Sequence, residues 1–252
     1  MDTLSVNQEN GRFYVNDAEG NVVVKEVPLS ISKKHQLYYR KDTSDLNMLK
    51  ESWKDYINVD CKDRVVMDCG SNIGGFINKA CNDGALSVHA YEPEHFNFDV
   101  LIKNVSLLKE KFKTQIEVNN SALIGSNEEE ITFNISGAKT SACSGSVIKT
   151  RRSIPLTVKA TNFWNELERI KPSIVKMDIE GGEYDVLTRD FPEYVKEVAL
   201  ELHGWRNETY RLMMNYIDSI KNNESYEIVN LEFINVFKKP KLALLHFKRK
   251  DC

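Results

Sequence analysis

The sequence predicts an α/β fold, a mostly parallel sheet of seven strands with helices on both faces and one reversed strand near the C-terminal end. Three observations predict it. From Arg64 onward, apolar runs of strand length alternate with stretches of helical periodicity, the pattern of a parallel sheet whose strands are joined by crossover helices. The first run, Val65-Val66-Met67-Asp68, breaks into a glycine-bearing turn, Cys69-Gly70-Ser71-Asn72-Ile73-Gly74-Gly75, before apolar residues resume at helical spacing. The last two runs, Tyr226 to Phe233 and Leu242 to Phe247, are joined by a link too short for a crossover helix, so the final strand is antiparallel to its neighbour.

Taken in order, residues 1–60 read as an N-terminal cap and residues 61–252 as the main domain. Phe13-Tyr14-Val15 and Val22-Val23-Val24 flank the turn-rich cluster Asp17-Ala18-Glu19-Gly20-Asn21 and predict a hairpin over Arg12 to Lys25. Gln36 to Tyr39 suits a short strand. Ser44 is placed to cap a helix running to Ile57, with Leu46, Met48, Leu49, Trp53 and Ile57 as its apolar surface. The main domain then predicts strand 65–68, helix 74–82, strand 87–91, helix 94–110 and strand 115–123, followed by a strand, helix and strand around 174, 183 and 197, and a helix over 208–221. Residues 124–160 interrupt the alternation. Ile131 to Ile135 and Ile154 to Val158 predict an inserted hairpin, and the small polar stretch Gly137 to Ser146 between them is either a lid or acceptor contact or a plain surface loop. The basic stretches Lys238 to Lys241 and Lys248 to Lys250 read as protection of a strand edge.

Composition narrows the function classes. A chain of 252 residues forms one α/β domain and buries roughly 70–75% of its extended surface. The net charge of −3, with acids and bases mixed, supplies no field that draws the chain onto nucleic acid or a membrane. Five cysteines without a Cys-x-x-Cys pair fit neither a disulfide framework nor a zinc site. With no basic leader and no long apolar run at hand, a reducing cytoplasm is the expected setting. The Asn-x-Ser/Thr triplets at Asn134 and Asn207 are then coincidental.

The glycine turn carries the chemistry. A dinucleotide site requires G-x-G-x-x-G, but Asn72 stands where the middle glycine would admit a pyrophosphate. Asp68 at the strand end repels an anion and attracts the ammonium of an amino acid. Glu92 ends the second strand, about 20 residues beyond the turn, where an acid meets ribose hydroxyls. Adenosine at one end and an amino acid at the other describe S-adenosylmethionine. The turn from Gly70 through Ser71 and Asn72 to Gly74 is assigned with Asp68 to its methionine moiety and Glu92 to its ribose. His95 with Phe96, or Ser121 with Ala122, would flank the adenine.

Two later segments extend the pattern. Lys176-Met177-Asp178-Ile179-Glu180-Gly181-Gly182-Glu183-Tyr184-Asp185-Val186-Leu187 reads as a strand ending in acids, a turn and a helix, and Leu200-Glu201-Leu202-His203 as another strand with a polar end. Together with D-x-G-x-N-x-G-G and Tyr91-Glu92-Pro93-Glu94, they resemble the FkbM-type family of S-adenosylmethionine-dependent methyltransferases. The resemblance runs from about Tyr39 to about Arg249 and is most specific at Asp178 to Leu187; Cys69 and Ser71 depart from it. It implies a Rossmann-like class I methyltransferase fold and O-methylation of a sugar, glycan or other small-metabolite hydroxyl. N-methylation of a metabolite or protein, or an inactive cofactor-binding scaffold, stand as alternatives.

Crevices in such sheets lie at the carboxyl ends of the strands, which brings Asp178, Glu180, Glu201 and His203 to the acceptor end. Asp178 and His203 are the candidate general bases, with Glu180 in support. Glu183 reads as a favourable charge at a helix N-terminus. By the resemblance, Arg40 would pair with the cofactor carboxylate, and Asp178, Glu180 and Glu201 offer oxygen ligands for Mg²⁺, an assignment left open.

Overall fold

The computed structural model describes residues 11–17, 19–136, 145–146, 153–236 and 239–250. The chain begins with β1 (Gly11–Asn16) and β2 (Val22–Val27), paired antiparallel with Phe13 opposite Lys25. Asp17 closes the turn by accepting the N–H of Asn21 at 2.7 Å, an Asx device that mimics a backbone turn. Alternation buries Phe13 and Val15 with Val27 and leaves the valines at 22–24 exposed. A second ribbon pairs β3 (Leu29–Ile31) with β4 (Tyr38–Arg40), and helix α1 (Asp45–Asp55) follows. Ser44 stands at the N-cap position but does not cap, because its backbone is already helical (φ −72°, ψ −8°) and a capping side chain needs extended dihedrals to reach the first amides. Thr43 Oγ1 accepts the Asp45 N–H instead, at 3.2 Å.

The central alternation then runs β5 (Val65–Cys69), α2 (Gly75–Asp83), β6 (Ser87–Tyr91), α3 (His95–Lys111) and β7 (Gln115–Asn119). Glu94 caps α3 by accepting the amides of Phe96 and Asn97. The strand expected over 115–123 is two strands. β7 ends at Asn119, and β8 (Ala122–Ile124) leaves for a second, four-stranded sheet. That sheet contains β9 (Glu130–Ser136), β10 (Gly145–Ser146) and β11 (Ser153–Asn162) in the order β10-β9-β11-β8. β9 and β11 form the expected hairpin, Ile131 opposite Val158 and Ile135 opposite Ile154. Most of the anticipated lid, residues 137–144, lies outside the described residues, as does Lys238 of the basic stretch.

Helix α4 (Phe163–Ile170) was not anticipated, although Phe163, Trp164, Leu167 and Ile170 recur at helical spacing and Asn162 caps it by accepting the Asn165 N–H. After β12 (Ile174–Met177), the expected helix at 183 is a single turn, α5 (Glu183–Val186). β13 (Glu197–His203), α6 (Asn207–Asn222), β14 (Tyr226–Val236) and β15 (Lys239–Arg249) complete the chain. The main sheet has the order β14-β15-β13-β12-β5-β6-β7, and only β15 runs against the others.

Successive residues of the central strands enter opposite faces. Met67, Val175, Val198 and Leu200 pack with Phe163, Trp164 and Ile217 on one side. Val66, Val88, Ala90 and Ala199 pack with Ile77, Val100 and Leu101 on the other. Burial on both faces explains why these strands read as unbroken apolar runs.

Candidate active site

The carboxyl ends of β5, β6, β12 and β13 open into one cavity, walled on another side by α1 and by Phe133 of β9. Gly70, Ser71, Asn72, Glu92, Ser121, Ala122, Asp178, Glu180 and Glu201 line it, as expected from the sequence. Met48, Glu51, Ser52, Asp55, Tyr56 and Lys176 also line it and were not expected.

The turn after β5 is shaped by its neighbours. Gly70 has φ +80°, and a Cβ there would lie 1.8 Å from the Asp178 carbonyl oxygen. The glycine is therefore demanded by the approach of β12, rather than by a ligand. Asn72 takes φ +49°, a left-handed conformation that asparagine tolerates, and its side chain accepts the N–H of Ile73 at 2.8 Å. Ser71 points inward, donating to the Asp68 carbonyl and accepting the Tyr91 N–H, which ties β5 to β6. Gly74, at φ +93°, caps α2 away from the cavity wall.

Glu92 is 4% exposed. Its Oε2 accepts the Asn72 N–H at 2.8 Å and its Oε1 the Glu94 N–H at 2.9 Å. Burial, and then the Glu94 charge, push its pKa up to about 7 against the pull of these amides. A carboxylate has about four lone-pair positions, so acceptor capacity remains toward the cavity.

Besides Gly74, four placements correct the sequence reading. Asp68 is fully buried beneath the turn and is not on the cavity wall; its charge is met by Lys176 Nζ, 3.2 Å from Oδ1. Lys176 also donates to the Gly70 carbonyl at 2.7 Å. Burial disfavours that ammonium, but Asp68 and Asp178 outweigh it and raise its pKa. Arg40 is likewise fully buried, with Nε and Nη2 each 2.9 Å from the Asp45 carboxylate, Nη2 on Asn97 at 2.6 Å and Nη1 on the Arg12 carbonyl. It braces the N-terminal segment against α3 and does not reach the cavity. His95 stacks on Phe96, ring centroids 4.0 Å apart, and both rings pack near Tyr14, away from the crevice.

His203 is the fourth. It is 1% exposed and stands behind the cavity wall, with Nδ1 2.9 Å from Glu183 Oε1 and Nε2 3.4 Å from Glu180 Oε2 and 3.5 Å from Glu201 Oε1. Burial disfavours its charge, but Glu183 and the other carboxylates outweigh this and hold its pKa well above the usual histidine value. An imidazole that already carries its proton is no base at neutral pH. Glu183, fully buried, orients that ring and also accepts the Gly181 N–H at 3.0 Å, so it is more than a helix-end charge.

Asp178 follows β12, and its N–H donates to the Cys69 carbonyl at 3.0 Å. Its Oδ1 is buried without a hydrogen-bond partner among the described residues. Burial first, and the Glu201 carboxylate next, raise its pKa well above the ordinary aspartate range. Glu180 sits at φ +55°, a conformation costing a side-chain-bearing residue about 1–3 kcal/mol. The Ser146 hydroxyl donates to its carbonyl. Among the described residues, one group, Asp178, Glu201 and His203, brings potential metal-ligand atoms within 4.8 Å of one another, and Glu180 is not part of it.

The sequence model of the Methyltransferase FkbM domain matches residues 68–225, from the end of β5 to just before β14. The chain belongs to the FkbM methyltransferase family. This FkbM-family chain is thus an S-adenosylmethionine-dependent methyltransferase, and its sheet order is that of a Rossmann-like methyltransferase fold. Among solved structures it is similar to Trm5b from Pyrococcus abyssi, at 11% identity and a TM-score of 0.51, covering 95% of this chain and 63% of that one. It is also similar to the M. jannaschii tRNA m1G37 methyltransferase (11% identity, TM-score 0.46, 95% and 61%) and to the ribosomal protein L11 methylase from Lactobacillus delbrueckii subsp. bulgaricus (14% identity, TM-score 0.44, 81% and 78%). At these identities the likeness is one of fold. The comparison with curated proteins found no match. No described helix of this FkbM-family methyltransferase is long and apolar enough to cross a membrane.

Proposed function

We propose that this methyltransferase O-methylates a hydroxyl of a sugar, glycan or other small metabolite, with Asp178 as the general base. The observation that carries the reading is the half-buried Asp178, whose Oδ1 is buried and without a hydrogen-bond partner among the described residues, in the wall of the same cavity as Gly70, Asn72 and Glu92.

The wall suits S-adenosylmethionine. Glu92 retains acceptor capacity for ribose hydroxyls. Ser121, Ala122 and Leu123 offer a small, largely apolar face for an adenine, and the backbone of Gly70 to Asn72 borders the methionine end. When bound, the cofactor supplies a methyl group on a cationic sulfur. The chain's own part is to hold the acceptor oxygen about 3 Å from that carbon and to take its proton. Asp178 does the second: its unpartnered Oδ1 is free to take a proton, and a carboxylate whose pKa lies above the ordinary range holds a proton more strongly than an ordinary one. The acceptor lone pair forms the new O–CH₃ bond, the C–S bond breaks with its electron pair on sulfur, and the hydroxyl proton passes to Asp178.

His203 turns both ring nitrogens toward carboxylates, which leaves Asp178 and Glu201 as the two oxygen donors that would hold a magnesium ion at this place. No step is routed through an ion.

The test is calorimetric titration of the purified chain with S-adenosylhomocysteine, with NAD as control. Micromolar binding of the former alone is expected, and preference for NAD would overturn the reading. Asp178→Asn should then keep that affinity while losing methyl transfer; a variant at full rate would remove Asp178 from the role.

A further inference from the structure

The acceptor half of the cavity is strongly unbalanced in charge. Glu51, Asp55, Glu92, Asp178, Glu180 and Glu201 line the cavity, and among the described residues Lys176 is the one cation in its lining. Lys176 is committed to Asp68 and to the Gly70 carbonyl. His203 lies behind the wall, against Glu180, Glu183 and Glu201. Lys54 stands 3.6 Å from Asp55, but its side chain is 79% exposed, so that pair is weak and solvent-screened. Burial raises the pKa of Glu51, Asp55, Asp178 and Glu180, and Glu201 is among the charges that add to each shift.

A second observation points to a ligand at the same place. Tyr56, directly after α1, is 5% exposed and lines the cavity, yet its hydroxyl has no hydrogen-bond partner among the described residues. A buried hydroxyl left unpaired costs free energy that a bound polar group would recover. Its ring edges onto Phe76 and lies 5.5 Å from Lys176 Nζ, which fixes it in the wall.

We propose that the acceptor carries an ammonium group beside the hydroxyl it presents, as in an amino sugar, and that Glu51, Asp55 and Glu201 receive the ammonium while Tyr56 Oη bonds a neighbouring polar group. The proposal rests on the hydroxyl-methylation reading above. The cofactor's own charge does not account for the excess, because its ammonium, sulfonium and carboxylate sum to a single positive charge, against the carboxylates of Glu51, Asp55, Glu92, Asp178, Glu180 and Glu201. The same carboxylates argue for oxygen as the nucleophile. An ammonium held among ionised acids keeps its proton, and without a free lone pair its nitrogen cannot attack carbon.

The test uses the full chain saturated with S-adenosylhomocysteine and the matched probes glucosamine and N-acetylglucosamine, with binding followed by saturation-transfer NMR at pH 7. Glucosamine should bind about tenfold tighter, equivalent to about 1.4 kcal/mol. The double variant Glu51→Gln, Asp55→Asn should erase most of that preference with S-adenosylhomocysteine affinity retained. Tyr56→Phe, which deletes only the hydroxyl, should weaken glucosamine binding about threefold to tenfold. Equal binding of the two probes, no binding of glucosamine at millimolar concentration, or a preference unchanged in the double variant each overturns the proposal. Failure to bind S-adenosylhomocysteine would instead overturn the reading beneath it.

Discussion

Gly70 and Asp178 meet so closely that a single methyl group on the former would sit 1.8 Å from the carbonyl oxygen of the latter. The turn after β5 and the end of β12 are therefore one unit, further joined by the Asp178 N–H on the Cys69 carbonyl. Gly70→Ala must relieve this clash at φ +80°. The expected cost is about 3 kcal/mol, from overpacking and a left-handed alanine together. Thermal unfolding should fall by about 6–12 °C for a domain of this size, and S-adenosylhomocysteine binding should weaken with it.

Lys176 and Asp68 are direct neighbours in the parallel register of β12 and β5. Lys176→Met would strand the Asp68 carboxylate in the core, at a cost of about 3–5 kcal/mol. Adding Asp68→Asn should recover at least half of that loss. Chemical denaturation of the two variants measures it, and additive losses would show that the pair is not coupled.

Glu92 predicts a proton count. Its pKa in the folded chain is about 7 against an ordinary value of 4.5, so between those values the folded chain holds more protons than the unfolded one. Its contribution to stability therefore falls as pH rises through that window. Ribose hydroxyls donating to the carboxylate favour its ionised form and lower the pKa again. S-adenosylhomocysteine binding at pH 6 should then release up to about one proton, and almost none above about pH 8. Calorimetry in two buffers of different ionisation heat reads this directly, and Glu92→Gln should abolish the release.

Arg40 separates structure from cofactor binding. Arg40→Met removes the guanidinium from Asp45, itself fully buried, and should destabilise the chain by about 3–5 kcal/mol. Below its lowered melting temperature the variant should bind S-adenosylhomocysteine within about twofold of the parent, well under the tenfold that 1.4 kcal/mol represents. A selective loss of affinity would return Arg40 to the cofactor site.

Local pattern carried much of this architecture. The β5 turn, Glu92 and the acids after β12 announce themselves by spacing, because strand ends and glycine breaks are properties of short segments. Lys176 does not, since its role depends on lying beside Asp68 in a register set by the whole sheet. Glu51, Asp55 and Tyr56 were hidden for a related reason. On an amphipathic helix they read as solvent-facing, and only the packing of α1 on α2, where a Cβ at Gly75 would lie 2.6 Å from Ser52 Oγ, turns them toward the cavity. Arg40 and His203 misled for the opposite reason: each is a chemically apt residue near the right place whose polar atoms are taken up by buried carboxylates.

The central register also bears on how the chain is made. The Ser173 hydroxyl and amide both donate to the Val65 carbonyl, 108 residues earlier. At a synthesis rate of about 5–20 residues per second, β5 emerges roughly 5–20 s before β12 can cover its free edge. During that interval an apolar strand bound for the centre of the sheet is paired on one side at most, a template for mispairing. Such distant pairing slows the search for the native sheet, so the yield of folded enzyme should depend on temperature and expression rate more steeply than its final stability suggests.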